Sequence, residues 1–218
     1  MNNQKTGFVS GTMVHTACGL KPIQALQVGD LVLTRSPQGE TIFEPITAIK
    51  KTVQAIYRCT LLEQQNEEHC TVHYLFTAAE QQIFADTDWI SVQRSHENQS
   101  YAYTLSQQSL SLWKPKPIFA ASNRKQQTFG LNAATFSQES HPNGQDDEFI
   151  QISADGLIHH QPNSNQYSFA KVTSPLYQNS VNWGSINKKT LVLPVYQLHL
   201  SNSDNYFVGQ EGILARAA

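Results

Sequence analysis

Charge is scarce in this chain. Only 15% of its 218 residues are Asp, Glu, Lys or Arg, and the 15 basic and 17 acidic groups nearly cancel to a net −2. No Lys/Arg stripe is present that would neutralise a phosphate backbone, so nucleic acid is not expected as a partner. Long apolar runs are missing too. No segment approaches the roughly 20 residues a membrane helix needs, and Met1-Asn2-Asn3-Gln4-Lys5 lacks the apolar core of a secretory signal. A membrane partner is therefore not expected, and nothing in these residues specifies a compartment. Cysteine is limited to Cys18, Cys59 and Cys70, which leaves one thiol unpaired under any bridging scheme. With no CxxC spacing, zinc and redox chemistry are not expected, and Cys18 and Cys59 read as small buried apolar side chains. Also absent are an internal repeat and any amphipathic helical pattern longer than about three turns.

What is present is strand and turn. Thr12–Thr16, Leu31–Thr34, Ile42–Ile49 and Ile56–Leu62 are short runs rich in β-branched and apolar residues, which predicts an all-β domain. Cys18-Gly19, Val28-Gly29-Asp30 and Ser36-Pro37-Gln38-Gly39 each supply a residue suited to chain reversal, and Ile23–Leu26 reads as one short helical turn. From about Ser95 to Pro194 the texture becomes polar and aromatic-dotted. Glu139–Glu148 reads there as a loop, Phe149–Ile152 and Gly156–Ile158 as strands about a tight turn, and Tyr167–Thr173 and Leu191–Leu200 as later strands.

Two further clusters carry little chemistry. Asp155, His159, His160 and Asn163 are metal-ligand types, but adjacent histidines on a strand face opposite ways and no second ligand pair completes a site. Neither a metal nor a cofactor is expected. Trp113-Lys114-Pro115-Lys116-Pro117 is a stiff basic element of the kind found at strand edges and loops.

Gly7–Thr12 with Val28–Leu33, Cys70–Thr77, and Val195–Leu198 with Tyr206–Leu214 are three segments that together resemble the Hint domain, the self-processing module of inteins and Hedgehog proteins. Gly7-Phe8-Val9-Ser10-Gly11-Thr12, followed by Leu20-Lys21-Pro22-Ile23 and Val28-Gly29-Asp30-Leu31-Val32-Leu33, is similar to the opening block of bacterial, intein-like and toxin-associated members. Cys70-Thr71-Val72-His73-Tyr74-Leu75-Phe76-Thr77, set before Trp89, resembles the family's T-x-x-H block in one of two registers. With Thr71 as the family Thr, Tyr74 replaces the His. With His73 as the family His, the preferred register, Cys70 replaces the Thr and the tail is close to the Hedgehog-type H-L-L-F. Val195-Tyr196-Gln197-Leu198 and Tyr206-Phe207-Val208-Gly209 through Leu214 are similar to the closing block.

The resemblance implies a compact, horseshoe-like all-β fold. It divides the chain into a flank (1–6), an N-terminal Hint part (7–94), an inserted, mostly β or loop elaboration (95–194) and a C-terminal Hint part (195–218). It also implies autocatalytic peptide-bond cleavage through an N-to-S acyl shift, with the chain's own flanking segments as substrate. Here the reactive positions are altered. Gly7 stands where the family has its nucleophile, and Arg216-Ala217 where it has His-Asn, so there is neither a side chain to attack nor an amide to cyclise. His73, with Cys70 or Thr71, is left as the group that would polarise the scissile amide, and Asp204 falls near a position where the family often has a His or Asp assisting the acyl shift. The expected function is a processing module silent in this version. The alternative is a non-catalytic binding domain that contacts a partner protein through 95–194.

Overall fold

The computed structural model describes residues 5–65, 70–95, 100–122, 128–132, 148–151, 169–171 and 190–218. Among them the regular structure is strand, apart from two short 3-10 turns at Ile23–Ala25 and Val92–Arg94. The strands are β1 (Phe8–Val9), β2 (Met13–Thr16), β3 (Gly19–Pro22), β4 (Leu31–Arg35), β5 (Thr41–Gln64), β6 (Cys70–Ala78), β7 (Gln82–Ala85) and β8 (Asp88–Ser91). They continue as β9 (Tyr101–Tyr103), β10 (Ser109–Ser122), β11 (Thr128–Asn132), β12 (Glu148–Gln151), β13 (Phe169–Lys171), β14 (Val192–Leu200), β15 (Asn205–Val208) and β16 (Ile213–Arg216). All-β architecture is thus what the structure has.

The spine is β5, a single strand of 24 residues. Its first part pairs with β4, its middle with β14, and its last part with β6 on one side and β10 on the other, all antiparallel. The expected break between Ile49 and Ile56 does not occur. Lys50–Ala55 contains no Gly or Pro and includes the β-branched Thr52 and Val53, so nothing stops the extended chain, and β14 lies alongside to take up its hydrogen bonds.

The turns fall where Gly and Pro place them. Gly39 N donates to Ser36 O at 2.9 Å and Asp30 N to Gln27 O at 3.1 Å. Cys59 is buried as expected, but Cys18 is exposed, because it sits on the β2–β3 turn rather than on an inward strand position. Burial pushes the Cys59 thiol up to about 12.

The region expected to be an elaboration begins inside the main sheet. β9 pairs with β7 and β10, and β10 pairs with β5. The prolines of Trp113–Pro117 lie within β10, where the register shifts between Trp113 and Lys116. That stretch falls between the part of β10 paired to β9 and the part paired to β11, so a missing N–H there breaks no ladder on the second side. β12 realises the strand expected near Phe149, and β13 occupies part of Tyr167–Thr173. Gly156–Ile158, most of Glu139–Glu148 and the Asp155, His159, His160, Asn163 cluster lie outside the described residues.

β1 is two residues long and lies between β14 and β6, with Phe8 opposite both Tyr196 and Thr77. Its side chains alternate, as on any strand. Phe8 enters one core cluster, edge-on to Tyr206 with ring centroids 6.3 Å apart, and Val9 enters a second with Ile56, Phe76, Ile118 and Val195. Both are fully buried. This short strand therefore joins two cores and fixes where the residues just before it must lie. Phe8→Ala is expected to cost about 3–5 kcal/mol, read as a lowered urea midpoint with little change in the m-value.

Candidate functional site

Anchoring β1 brings Thr6 and Gly7 to the end of β6. Ala78 N donates to Gly7 O at 2.9 Å, and Glu80 N donates to Lys5 O at 2.9 Å, so the segment runs as an extended addition along the end of β6 and the turn after it. The Thr6–Gly7 peptide is then gripped from both sides. Gly7 N donates to Gln81 Oε1 at 2.7 Å, and Gln197 Nε2 donates to Thr6 O at 2.9 Å and to Thr6 Oγ1 at 2.8 Å. Both glutamines are almost wholly buried. Gln81 sits on the turn leading into β7, and Gln197 on β14 opposite Lys50 of β5.

The other end of the chain reaches the same place. Gln81 Nε2 donates to Arg216 O at 3.0 Å and to Gln82 O at 3.0 Å. Ala217 N donates to Asp204 O at 2.6 Å and Ala218 N to Leu198 O at 3.0 Å. The Arg216 guanidinium donates to Gln82 Oε1 at 3.0 Å, lies 3.4 Å from Asp204 Oδ2 and stacks 5.6 Å from the centre of the Trp89 ring. Thr6, Gln81, Asp204, Arg216 and Ala217 line one polar cleft of about 670 Å³. The orientation of the Gln81 carboxamide follows from its partners: an N–H demands the oxygen, and two carbonyls demand the nitrogen.

Chemically, Gln197 donates to the oxygen on which charge grows when a peptide carbonyl is attacked. Gln81 can only accept from the N–H, so it delivers no proton to a departing nitrogen. Position 7 offers no nucleophile. Its backbone has φ +117°, and a Cβ built there would lie 2.8 Å from Tyr196 O. The conformation and the close approach of β14 both require glycine.

Of the residues singled out from sequence, the structure unites Gly7, Asp204, Arg216 and Ala217. It places His73, Thr71 and Cys70 elsewhere. His73 is four residues from Thr77 on β6, about 13 Å along an extended strand. It pairs across from Leu61 of β5, with Nε2 3.1 Å from Glu63 Oε2 and Nδ1 2.7 Å from Glu211 Oε1. Thr71 accepts from Gln65 Nε2 at 2.8 Å, and Cys70 opens β6 opposite Gln64. The two gripping glutamines escaped sequence reasoning. A signal existed near Gln81: Thr77 is a second threonine ahead of Trp89, and reading the block from it puts Glu80 at the histidine position with Gln81 directly after it. Gln197 occupies the unspecified position of the closing block.

An all-β sheet that returns both chain ends to one cleft defines the Hint/intein fold, and this chain has that fold. No protein-family model and no curated protein matches the sequence. Solved structures do match. The bacterial intein-like domain from Clostridium thermocellum has 12% identity and a TM-score of 0.53 over 96% of this chain and 97% of that one. The DnaB intein from Synechocystis has 8% identity and a TM-score of 0.52 over 98% and 99%. The gp41-1 intein has 13% identity and a TM-score of 0.50 over 97% and 98%. Identities this low carry the fold alone.

Two substitutions probe the site. Gly7→Ala is expected to destabilise by about 1–3 kcal/mol in urea, because alanine must adopt a left-handed conformation beside a carbonyl oxygen. Gln81→Ala strands a buried N–H and two carbonyls, for a loss of about 1–3 kcal/mol in the same measurement.

Proposed function

We propose that the chain is a Hint-type autoprocessing scaffold that grips the peptide at its N-terminal junction without cleaving it. One observation carries this reading: the Thr6–Gly7 peptide is held on its carbonyl by Gln197 and on its N–H by Gln81, with glycine between them. The grip polarises the bond. Cutting it needs a nucleophile and a proton for the leaving nitrogen, and neither carboxamide supplies either. The C-terminal junction is held in the same way, since Ala217 has no amide side chain to cyclise and its own N–H is committed to Asp204 O.

The test is a chain with a tag fused ahead of Met1 and another after Ala218, incubated with and without a small thiol and weighed by mass spectrometry. The expected result is intact protein in both arms. A fragment ending at Thr6 would overturn the reading. Gly7→Cys alone is expected to cleave only slowly with thiol, because the new Cβ meets Tyr196 O and Gln81, which faces the amide nitrogen, donates no proton to it. Adding Gln81→His to Gly7→Cys is expected to raise thiol-dependent cleavage by about 10²–10⁴-fold over Gly7→Cys, the usual contribution of a positioned general acid.

A further inference from the structure

A second polar cluster lies away from the junction cleft and is built from three separate parts of the chain. His73 of β6 is 5% exposed. Glu63 of β5 approaches one ring nitrogen and Glu211, in the turn between β15 and β16, approaches the other. Glu63 is held from outside as well, since Gln108 Nε2 donates to its Oε1 at 3.0 Å. Glu211 has no such second tether on its Oε1. Its 2.7 Å approach to Nδ1 is an ion-pair contact rather than an aligned hydrogen bond. From β2, His15 faces the same turn, with Nε2 2.9 Å from Gly209 O. The turn backbone is fitted closely: Leu105 N donates to Glu211 O at 3.1 Å, and a Cβ at Gly212 would meet Leu105 Cβ at 2.7 Å.

We propose that Glu63, His73 and Glu211 form a proton-gated latch that fastens the β15–β16 hairpin to the β5–β6 hairpin. With a charged imidazole, both ring nitrogens carry hydrogens and both carboxylates have a cation between them. With a neutral imidazole, only one nitrogen carries a hydrogen, and the other turns a lone pair towards a carboxylate. One carboxylate must then leave. Glu63 is doubly held on a strand, so the carboxylate that leaves is Glu211, and it takes its turn with it.

Burial alone would push the His73 imidazole down, but the Glu211 and then the Glu63 carboxylates outweigh it and hold the group above its ordinary 6.5. A group raised in the folded state contributes stability that is complete below its ordinary pKa and is lost as pH climbs through the raised value. The latch is therefore closed on the acid side and opens on the alkaline side. His15 works in the opposite sense. Burial is the main influence on it and lowers it, against raising contributions from Gly209, Gln210 and Glu211.

The experiment is hydrogen–deuterium exchange of the intact chain from about pH 5 to about pH 9, with times scaled for the chemical exchange rate. Protection of Asn205–Arg216 is expected to fall as pH rises, with a midpoint above 6.5 that matches the His73 ring titration followed by NMR. His73→Gln, which keeps a polar side chain but can neither titrate nor carry charge, is expected to lose the step. Glu211→Gln is expected to move the ring titration down, while His15→Gln leaves the alkaline step in place. Constant protection across the range would overturn the proposal, as would a step that survives in His73→Gln. Where a variant does not fold, the wild-type ring titration decides, because a His73 midpoint at or below 6.5 sinks the latch.

Discussion

One side chain holds the two ends of this molecule together. The Gln81 carboxamide accepts from Gly7 N–H with its oxygen and donates to Arg216 C=O with its nitrogen. Few side chains do this at fixed charge. A carboxylate only accepts and a guanidinium only donates, while an imidazole does both only in one tautomer and only when neutral. Since the site is buried, a group that gained or lost charge there would have to be desolvated as an ion. A carboxamide avoids that cost at every pH. The junction is thereby a fixed structural joint, whose strength does not depend on titration.

The glycine at position 7 belongs to the same joint. With no side chain it has nothing to attack a carbonyl with, and it also lets β14 bring Tyr196 O to 2.8 Å of where a Cβ would stand. Those two facts are coupled. Once the neighbouring strand has settled that close, any L side chain at position 7 must strain the backbone or push β14 away, and β14 is held along its length by β5. The short β1 passes the constraint on, because its two side chains serve two different cores.

Much of the fold was legible because local chemistry decided it. Turns at Gly19, Gly29 and Gly39 follow from residues that accept left-handed backbone, all three of which have φ near +90°. The strand class followed from β-branched runs. What escaped depended on partners distant in sequence. β5 read as two strands because its middle is polar, and only pairing with β14 keeps that stretch extended. β9 and β10 hid in a polar, proline-bearing region for the same reason. At the site, sequence reasoning sought a histidine and found His73. Which residue of β6 faces position 7 is set by the register between β1 and β6, and that register is fixed by Phe8 packing against Tyr206. The sequence offered Thr71 or Cys70 with His73 as the start of that block, and neither reading could say that Thr77 is the residue of β6 that lies opposite Phe8.

His73 and Gln81 stand in an informative relation once both are placed. The segment from β6 through Gln81 meets β16 and the turn before it at two points. Near the start of β6 the tie is ionic, from His73 to Glu211; after its end the tie is neutral, from Gln81 to Arg216 O. A strand of four residues fastened at both ends by unlike chemistry responds unevenly to its surroundings. Salt screens a partly buried ion pair incompletely and leaves an amide hydrogen bond almost untouched, so the end of β16 nearest the junction is the steadier one. The ionic end is four residues along β6 from Thr77, which lies opposite Phe8 next to the Thr6–Gly7 peptide. Any loosening that begins at Glu211 must travel through Ile213, Leu214 and Ala215, which pack in the core, before it reaches the carbonyl that Gln81 holds. The arrangement keeps the peptide grip insulated from the one cluster in the described residues that joins a buried imidazole to two carboxylates.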